Sequence, residues 1–132
     1  MTYVPPRSIR VLVAEDTATG REVVRQHLEG NGFEVVFAED GVAAVEAAKA
    51  GEFAVILMDL RMPRMDGFEA IQTIRFEEKA QGRPRTPIVV ISANSDTEHV
   101  QRSMQAGADA HIPKPVKRMD VLGAVLEFAQ RE

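Results

Sequence analysis

Short apolar runs recur along the chain. Each is followed by a longer stretch in which apolar residues return every three or four positions. The runs at 9–14, 33–38, 53–59, 87–92 and 108–112 are rich in Val, Ile and Ala. The run at 53–59 is nearly continuous in apolar character, as expected of a strand buried on both faces. The intervening stretches have helical spacing. Val23, Val24, His27 and Leu28 form one stripe, with Thr19 and Glu22 at capping-box spacing before it and Gly30-Asn31-Gly32 after it. His27 on that stripe reads as a histidine at the core edge. Residues 41–50 form an Ala-rich helix with Val42, Val45 and Ala48 inward and Glu46 and Lys49 outward. A helix from Asp66 or Gly67 buries Phe68, Ile71, Ile74 and the apolar stem of Arg75. Another spans about 96–106 and stops at Gly107. The last, from about 117, carries Leu122, Val125, Leu126 and Ala129 on one face. Val121 and Phe128 lie off that stripe, covering the edge of the core or, as the alternative, a partner or dimer surface. Five strand–helix repeats with short connections imply a parallel sheet covered by helices on both faces. One domain over 9–132 consumes the chain, with 1–8 as an N-terminal extension.

Composition narrows the class. The chain has 132 residues, 45% hydrophobic and 27% charged, with a net charge of -4. No concentrated Lys/Arg run recommends direct nucleic-acid binding. Gly82-Arg83-Pro84-Arg85 is the most basic stretch, and it reads as a solvated linker. Absence of cysteine excludes disulfides and thiol metal sites. Residues 1–8 lack an apolar signal core, and no run approaches the ~20 apolar residues of a membrane helix. A cytoplasmic domain that does not enter the membrane is the expectation.

The chemistry gathers where the apolar runs end. The first ends on Glu15 and Asp16, the third on Asp59, the fourth on Ser92, and Lys114 lies just beyond the fifth. In a parallel sheet these ends share one edge, where ligands bind. Three neighbouring carboxylates repel one another and favour a divalent cation. Oxygen ligands without His or Cys suggest Mg²⁺, or Mn²⁺, over zinc. Lys114 suits a phosphate and Ser92 can donate a hydrogen bond. Together these groups describe a phosphoryl-transfer site with Asp59 as nucleophile.

The acidic pair Glu15-Asp16, the segment from Met58 through Asp59, Met62-Pro63 and Asp66-Gly67, then Ser92-Ala93 and Lys114-Pro115, resemble the receiver domain of two-component response regulators from about Ile9 to the end. The resemblance implies a flavodoxin-like (βα)5 doubly wound, five-stranded parallel sheet of order 2-1-3-4-5, and an aspartyl-phosphate at Asp59. It implies Mg²⁺ held by Asp16, Asp59 and the backbone carbonyl of Arg61, with Glu15 helping directly or through water. Lys114 and Ser92 would contact the phosphoryl group, and the Lys114–Pro115 bond would be cis. Glu15 replaces the more usual aspartate and keeps its charge. His111 falls on the switch position usually held by Tyr or Phe, and it titrates near neutral pH. Arg61 and Asn94, two residues beyond Asp59 and Ser92, would tune dephosphorylation.

The expected function is therefore a receiver that accepts phosphate on Asp59 from a histidine kinase or histidine phosphotransfer protein docked near the first helix. It would switch the surface of its fourth helix, fifth strand and fifth helix toward a downstream protein, or toward a phosphorylation-dependent dimer. It is no conventional enzyme, since it would catalyse only its own phosphorylation and dephosphorylation. The alternative is a receiver-like interaction module that is never phosphorylated. Two rivals fit less well. A phosphatase of the haloacid dehalogenase type needs an acidic residue where Arg61 stands. A flavodoxin-like electron carrier would bring its flavin phosphate against Glu15-Asp16.

Overall fold

A computed structural model describes residues 9–129; the expected extension at 1–8 lies outside them. The chain alternates strictly: β1 (Arg10–Ala14), α1 (Ala18–Leu28), β2 (Glu34–Ala38), α2 (Gly41–Ala50), β3 (Val55–Asp59), α3 (Gly67–Ala80), β4 (Ile88–Ser92), α4 (Thr97–Ala106), β5 (Ala110–Pro113) and α5 (Arg118–Ala129). All strand pairings are parallel, in the order β2-β1-β3-β4-β5. The expected flavodoxin-like sheet is the observed one.

The central strands have no polar alternation because each face has its own cover. Val11, Val13, Val55, Leu57, Val89 and Ile91 pack with Val24 and Leu28 of α1 and Val121, Val125 and Phe128 of α5. Leu12, Ala14, Ile56, Met58, Ile88 and Val90 face the other way, against Ala44, Val45, Ala70, Ile71, Ile74 and Ala106. Leu12 and Leu57 are fully buried, each stabilising the fold by ~2–3 kcal/mol relative to exposure.

Several expectations shift. The stripe of α5 is Val121, Val125 and Phe128, one position from the expected face, and Leu126 is exposed. Val121 and Phe128 are thus core residues. On α1, Val23 points outward, whereas His27 sits at the core edge, its Nε2 3.1 Å from the Val116 carbonyl oxygen. The N-cap of α1 is Thr17, whose hydroxyl accepts from the Gly20 amide at 2.9 Å; Thr19 lies inside the helix. Pro113 closes β5 rather than lying beyond it, opposite Ser92, and the following Lys114 amide donates to the Ser92 carbonyl at 2.9 Å.

The basic loop after α3 is no free linker. Arg83 donates to the carbonyls of Ala48 and Lys49 at 2.9 Å and of Gly51 at 2.7 Å. It thereby caps the negative end of α2. Arg85 and Arg75 both bond Asp109 at 2.9 Å, and Asp109 also accepts from the Ile88 amide at 2.9 Å. These ties close the edge of the sheet opposite the strand C-termini. None of the described helices is long and apolar enough to cross a membrane.

Candidate functional site

The parallel register delivers the expected groups to one edge. The β1–α1 turn is set by the Glu15 amide, which donates to the Ala38 carbonyl at 3.0 Å. Glu15 then folds back over the start of α1. Its Oε1 accepts from the Thr17 amide at 3.2 Å and from the Thr17 hydroxyl at 3.1 Å. Gly20 makes this possible, because a β-carbon there would lie 2.5 Å from the Glu15 carboxyl carbon. Arg21 bonds the Glu15 carbonyl at 3.0 Å. Asp16 is exposed, whereas Glu15 and Asp59 are each only 4% exposed.

Asp59 terminates β3 and is held from two sides. Its Oδ1 accepts from the Arg61 amide at 3.0 Å and its Oδ2 from Lys114 Nζ at 2.6 Å. The same ammonium reaches Glu15 Oε2 at 3.2 Å. Gly67 lets α3 begin directly against this strand end, since a β-carbon there would come 2.5 Å from the Asp59 carbonyl oxygen. The Lys114–Pro115 bond that follows is cis.

Burial, and then the neighbouring Glu15, push the Asp59 carboxyl up to about 6, against the opposing pull of Lys114 and the Arg61 amide. Burial also acts on Glu15, but its bonds to Asp59, the Thr17 amide and Lys114 outweigh it and leave that carboxyl below its usual range. Burial would lower Lys114; its two carboxylate partners prevail and raise it. Of this crowded pair, Asp59 is therefore the carboxyl that takes up a proton more readily.

A divalent cation fits the donor set. Oxygen atoms of Glu15, Asp16 and Asp59 lie within 4.8 Å of one another, and such a cluster of hard oxygens with one carboxyl forced upward suits Mg²⁺. Beside it opens a cleft of about 600 Å³ whose walls include Asp16, Arg61, Ser92, Asn94, His99 and Arg102.

Ser92 is buried at the end of β4, one strand from Asp59, and its hydroxyl accepts from the Asn94 amide at 3.1 Å. Asn94 is further fixed from α4. Its amide oxygen accepts from the Asp96 amide at 3.3 Å and its Nδ2 lies 3.4 Å from His99 Nε2. The Arg61 side chain is exposed; only its backbone engages Asp59. His111 stands apart from these groups. It pairs with Val90 in the β4–β5 ladder, and its neighbours Ala110 and Ile112 face α5, which places His111 on the α4 side of the sheet. Its Nε2 is buried and has no hydrogen-bond partner among the described residues.

Glu15, Asp16, Asp59 and Lys114 are thus brought into one cluster, Ser92 and Asn94 flank it, and His111 does not reach it. Sequence reasoning passed over Thr17 and Gly20 as supports of Glu15. The Thr-x-x-Gly spacing after the acidic pair was an available signal. His99 and Arg102 enter the cleft by long-range packing, which leaves no local pattern.

Comparison with known proteins agrees with this geometry. Residues 11–126 match the family model of the response regulator receiver domain. The chain is 37% identical over 135 residues to the probable histidine kinase 2 of Oryza sativa subsp. indica, covering 92% of this chain and 13% of that protein. It is 34% identical over 122 residues to the sensor protein GacS of Pseudomonas syringae, covering 92% of this chain and 14% of that one. It therefore spans only about one seventh of these relatives. Among solved structures it is similar to the receiver domain of a sensor histidine kinase from Pseudomonas aeruginosa, which carries a magnesium ion in its active-site cleft. That match has a TM-score of 0.84 at 29% identity and covers 95% of this chain and 100% of the other. It is also similar to the receiver domain of a Saccharomyces cerevisiae response regulator solved with its histidine phosphotransfer protein. There the TM-score is 0.88 at 26% identity, over 92% of this chain and 89% of the other. With the sheet order, the strand-end cluster and the family match in agreement, the chain belongs to the response regulator receiver domain family.

Proposed function

We propose that Asp59 is the phosphoacceptor of this receiver and that Glu15, Asp16, Asp59 and the Arg61 carbonyl hold the Mg²⁺ its chemistry needs, with Mn²⁺ able to substitute. The observation that carries this reading is the Lys114 ammonium, 2.6 Å from Asp59 and 3.2 Å from Glu15. It brings a phosphate-binding cation directly to the nucleophile. A bound divalent ion supplies charge neutralisation for the transferring phosphoryl group.

An Asp59 carboxylate oxygen attacks phosphorus in a phosphohistidine of a histidine kinase or phosphotransfer protein. The new O–P bond forms as the P–N bond breaks, and the leaving imidazole takes up a proton. Lys114 stabilises charge on the phosphoryl oxygens, and Ser92 turns its hydroxyl proton toward one of them. Hydrolysis reverses the modification by attack of water on phosphorus, with Arg61 and Asn94 flanking its approach. Drawing Ser92 inward frees space beside His111 and shifts the surface of α4, β5 and α5 between two states. A downstream protein, or a second phosphorylated copy, reads that surface in the cytoplasm. The receiver unit runs from residue 9 to 132, with 1–8 leading into it. The reading of an interaction module that is never phosphorylated is disfavoured by the complete set of groups around Asp59.

Intact-mass measurement after incubation with a small phosphodonor and Mg²⁺ tests the assignment. One phosphoryl adduct is expected, lost with EDTA and absent in Asp59→Asn. An adduct of wild-type yield in Asp59→Asn would refute it, and no adduct under any condition would favour the interaction module.

A further inference from the structure

The loop at 60–66 joins Asp59 to α3 and carries the Arg61 carbonyl. Within it, the Met65 amide donates to the Pro63 carbonyl at 2.7 Å, and the Gly67 amide to the Leu60 carbonyl at 2.9 Å. The loop does not stand alone, because it leans on the start of α2. Arg64 occupies the left-handed region at φ 67, the one non-glycine residue among those described to do so. Its guanidinium donates to Asp40 Oδ2 through Nε at 2.9 Å and through Nη2 at 2.5 Å. The other oxygen of Asp40 caps α2 by accepting from the Ala43 amide at 2.7 Å. Immediately after Asp40, Gly41 lies flat against the loop backbone: a β-carbon there would sit 2.0 Å from the Met65 carbonyl oxygen.

A solvent-exposed ion pair alone would carry little. Arg64 is indeed 64% exposed, but the Asp40 side chain is only 12% exposed, and helix α2 fixes its orientation. The Ala43 amide first, and then Arg64, hold the Asp40 carboxyl below its usual range, so it is ionised whenever the site works. A left-handed backbone at a non-glycine residue persists only where its surroundings over-determine it. Here they do so from both sides, through the guanidinium and through the Gly41 seat.

We infer that Asp40 and Arg64 are positioning residues for the metal site: the pair latches the 60–66 loop onto α2 and thereby holds the Arg61 carbonyl where a divalent cation can use it. This rests on the reading that Arg61 and the acidic cluster bind Mg²⁺. Supports of metal ligands commonly set affinity by ~10-fold or more, and the latch stands three residues from its ligand.

Mg²⁺ is titrated, without phosphodonor, into wild type, Arg64→Ala, Arg64→Lys, Arg64→Gly and Asp40→Asn, following backbone amide NMR shifts. Amide hydrogen exchange of Met65 and Gly67 is measured in EDTA. Arg64→Ala should bind Mg²⁺ ~10-fold more weakly and exchange faster at both amides. Arg64→Lys should recover part of the affinity. Arg64→Gly, which favours the left-handed backbone but has no guanidinium, should stay weak. Asp40→Asn retains a capping oxygen and should weaken binding in the same direction as Arg64→Ala. Wild-type affinity in Arg64→Ala or in Arg64→Gly would overturn the latch while leaving the phosphoacceptor reading intact. Failure of the wild type itself to bind Mg²⁺ would overturn both.

Discussion

Asp59→Asn should stabilise this domain when divalent ions are removed, although on the proposed reading the same change removes the phosphoacceptor. The carboxyl is pushed from 3.8 to about 6 by burial and by Glu15, net of everything Lys114 returns. Its ionised form is therefore strained in the folded state at neutral pH. At ~1.4 kcal/mol per pH unit the full displacement corresponds to ~3 kcal/mol. The cleft beside it is open to water, and Glu15 moves the opposite way, so about half of that, ~1–2 kcal/mol, is the expected gain from the neutral amide. The sign follows from linkage. Between 3.8 and about 6 the folded state holds a proton that the unfolded state has lost, so wild-type stability from this group rises as pH falls through that window. Urea unfolding in EDTA should place Asp59→Asn ~1–2 kcal/mol above wild type at pH 7, with the gain shrinking toward zero near pH 4. In Mg²⁺ the order should reverse, since only the wild type gains from the ion. A gain that grows on acidification, or a variant less stable than wild type in EDTA at pH 7, would refute the argument.

Other outcomes test the supports of the site. Gly20→Ala forces a β-carbon to within 2.5 Å of the Glu15 carboxyl carbon, and should weaken Mg²⁺ binding by ~10-fold, read by the same amide titration. Asp109→Ala removes one of the two carboxylates paired with the largely buried Arg75 guanidinium, leaving Glu78, and strips the Ile88 amide of its acceptor; it should cost ~2 kcal/mol, measured by urea unfolding at pH 7. His111 is lowered from 6.5 by burial and by His99, so the stability linked to it is present above 6.5 and is lost as pH falls below that. Replacing it with Phe should flatten this acid limb, and an unchanged difference between the two proteins from pH 7.5 to 5 would count against the assignment.

The sheet and the site were legible because both depend on local signals. Each central strand is a short run bounded by turn residues, and each functional side chain stands at the first polar position after such a run. The same locality explains the misreadings. Helix α5 carries Leu122 and Leu126 outside its buried stripe of Val121, Val125 and Phe128, so its apolar residues extend beyond one face and the period does not select it. Arg83 and Arg85 read as solvated because their partners lie more than twenty residues away, on α2 and before β5. Arg64 reads as an ordinary loop residue for the same reason; nothing nearby announces Asp40. Thr17 and Thr19 both suit an N-cap, and the choice between them falls to the bond that Thr17 also makes with Glu15.

The Lys114 ammonium has a consequence for ion choice. It bridges Asp59 and Glu15, so the carboxylates already possess a tethered counter-ion whose local concentration does not change with the medium. An incoming ion must compete with it. Sodium or potassium brings one charge, offers no more than the lysine supplies, and must shed water to do so. A doubly charged ion can draw both carboxylates and let the ammonium swing toward an arriving phosphoryl group. On the proposed reading of the metal site, the lysine would discriminate by valence, favouring a divalent ion over the abundant monovalent ones around it.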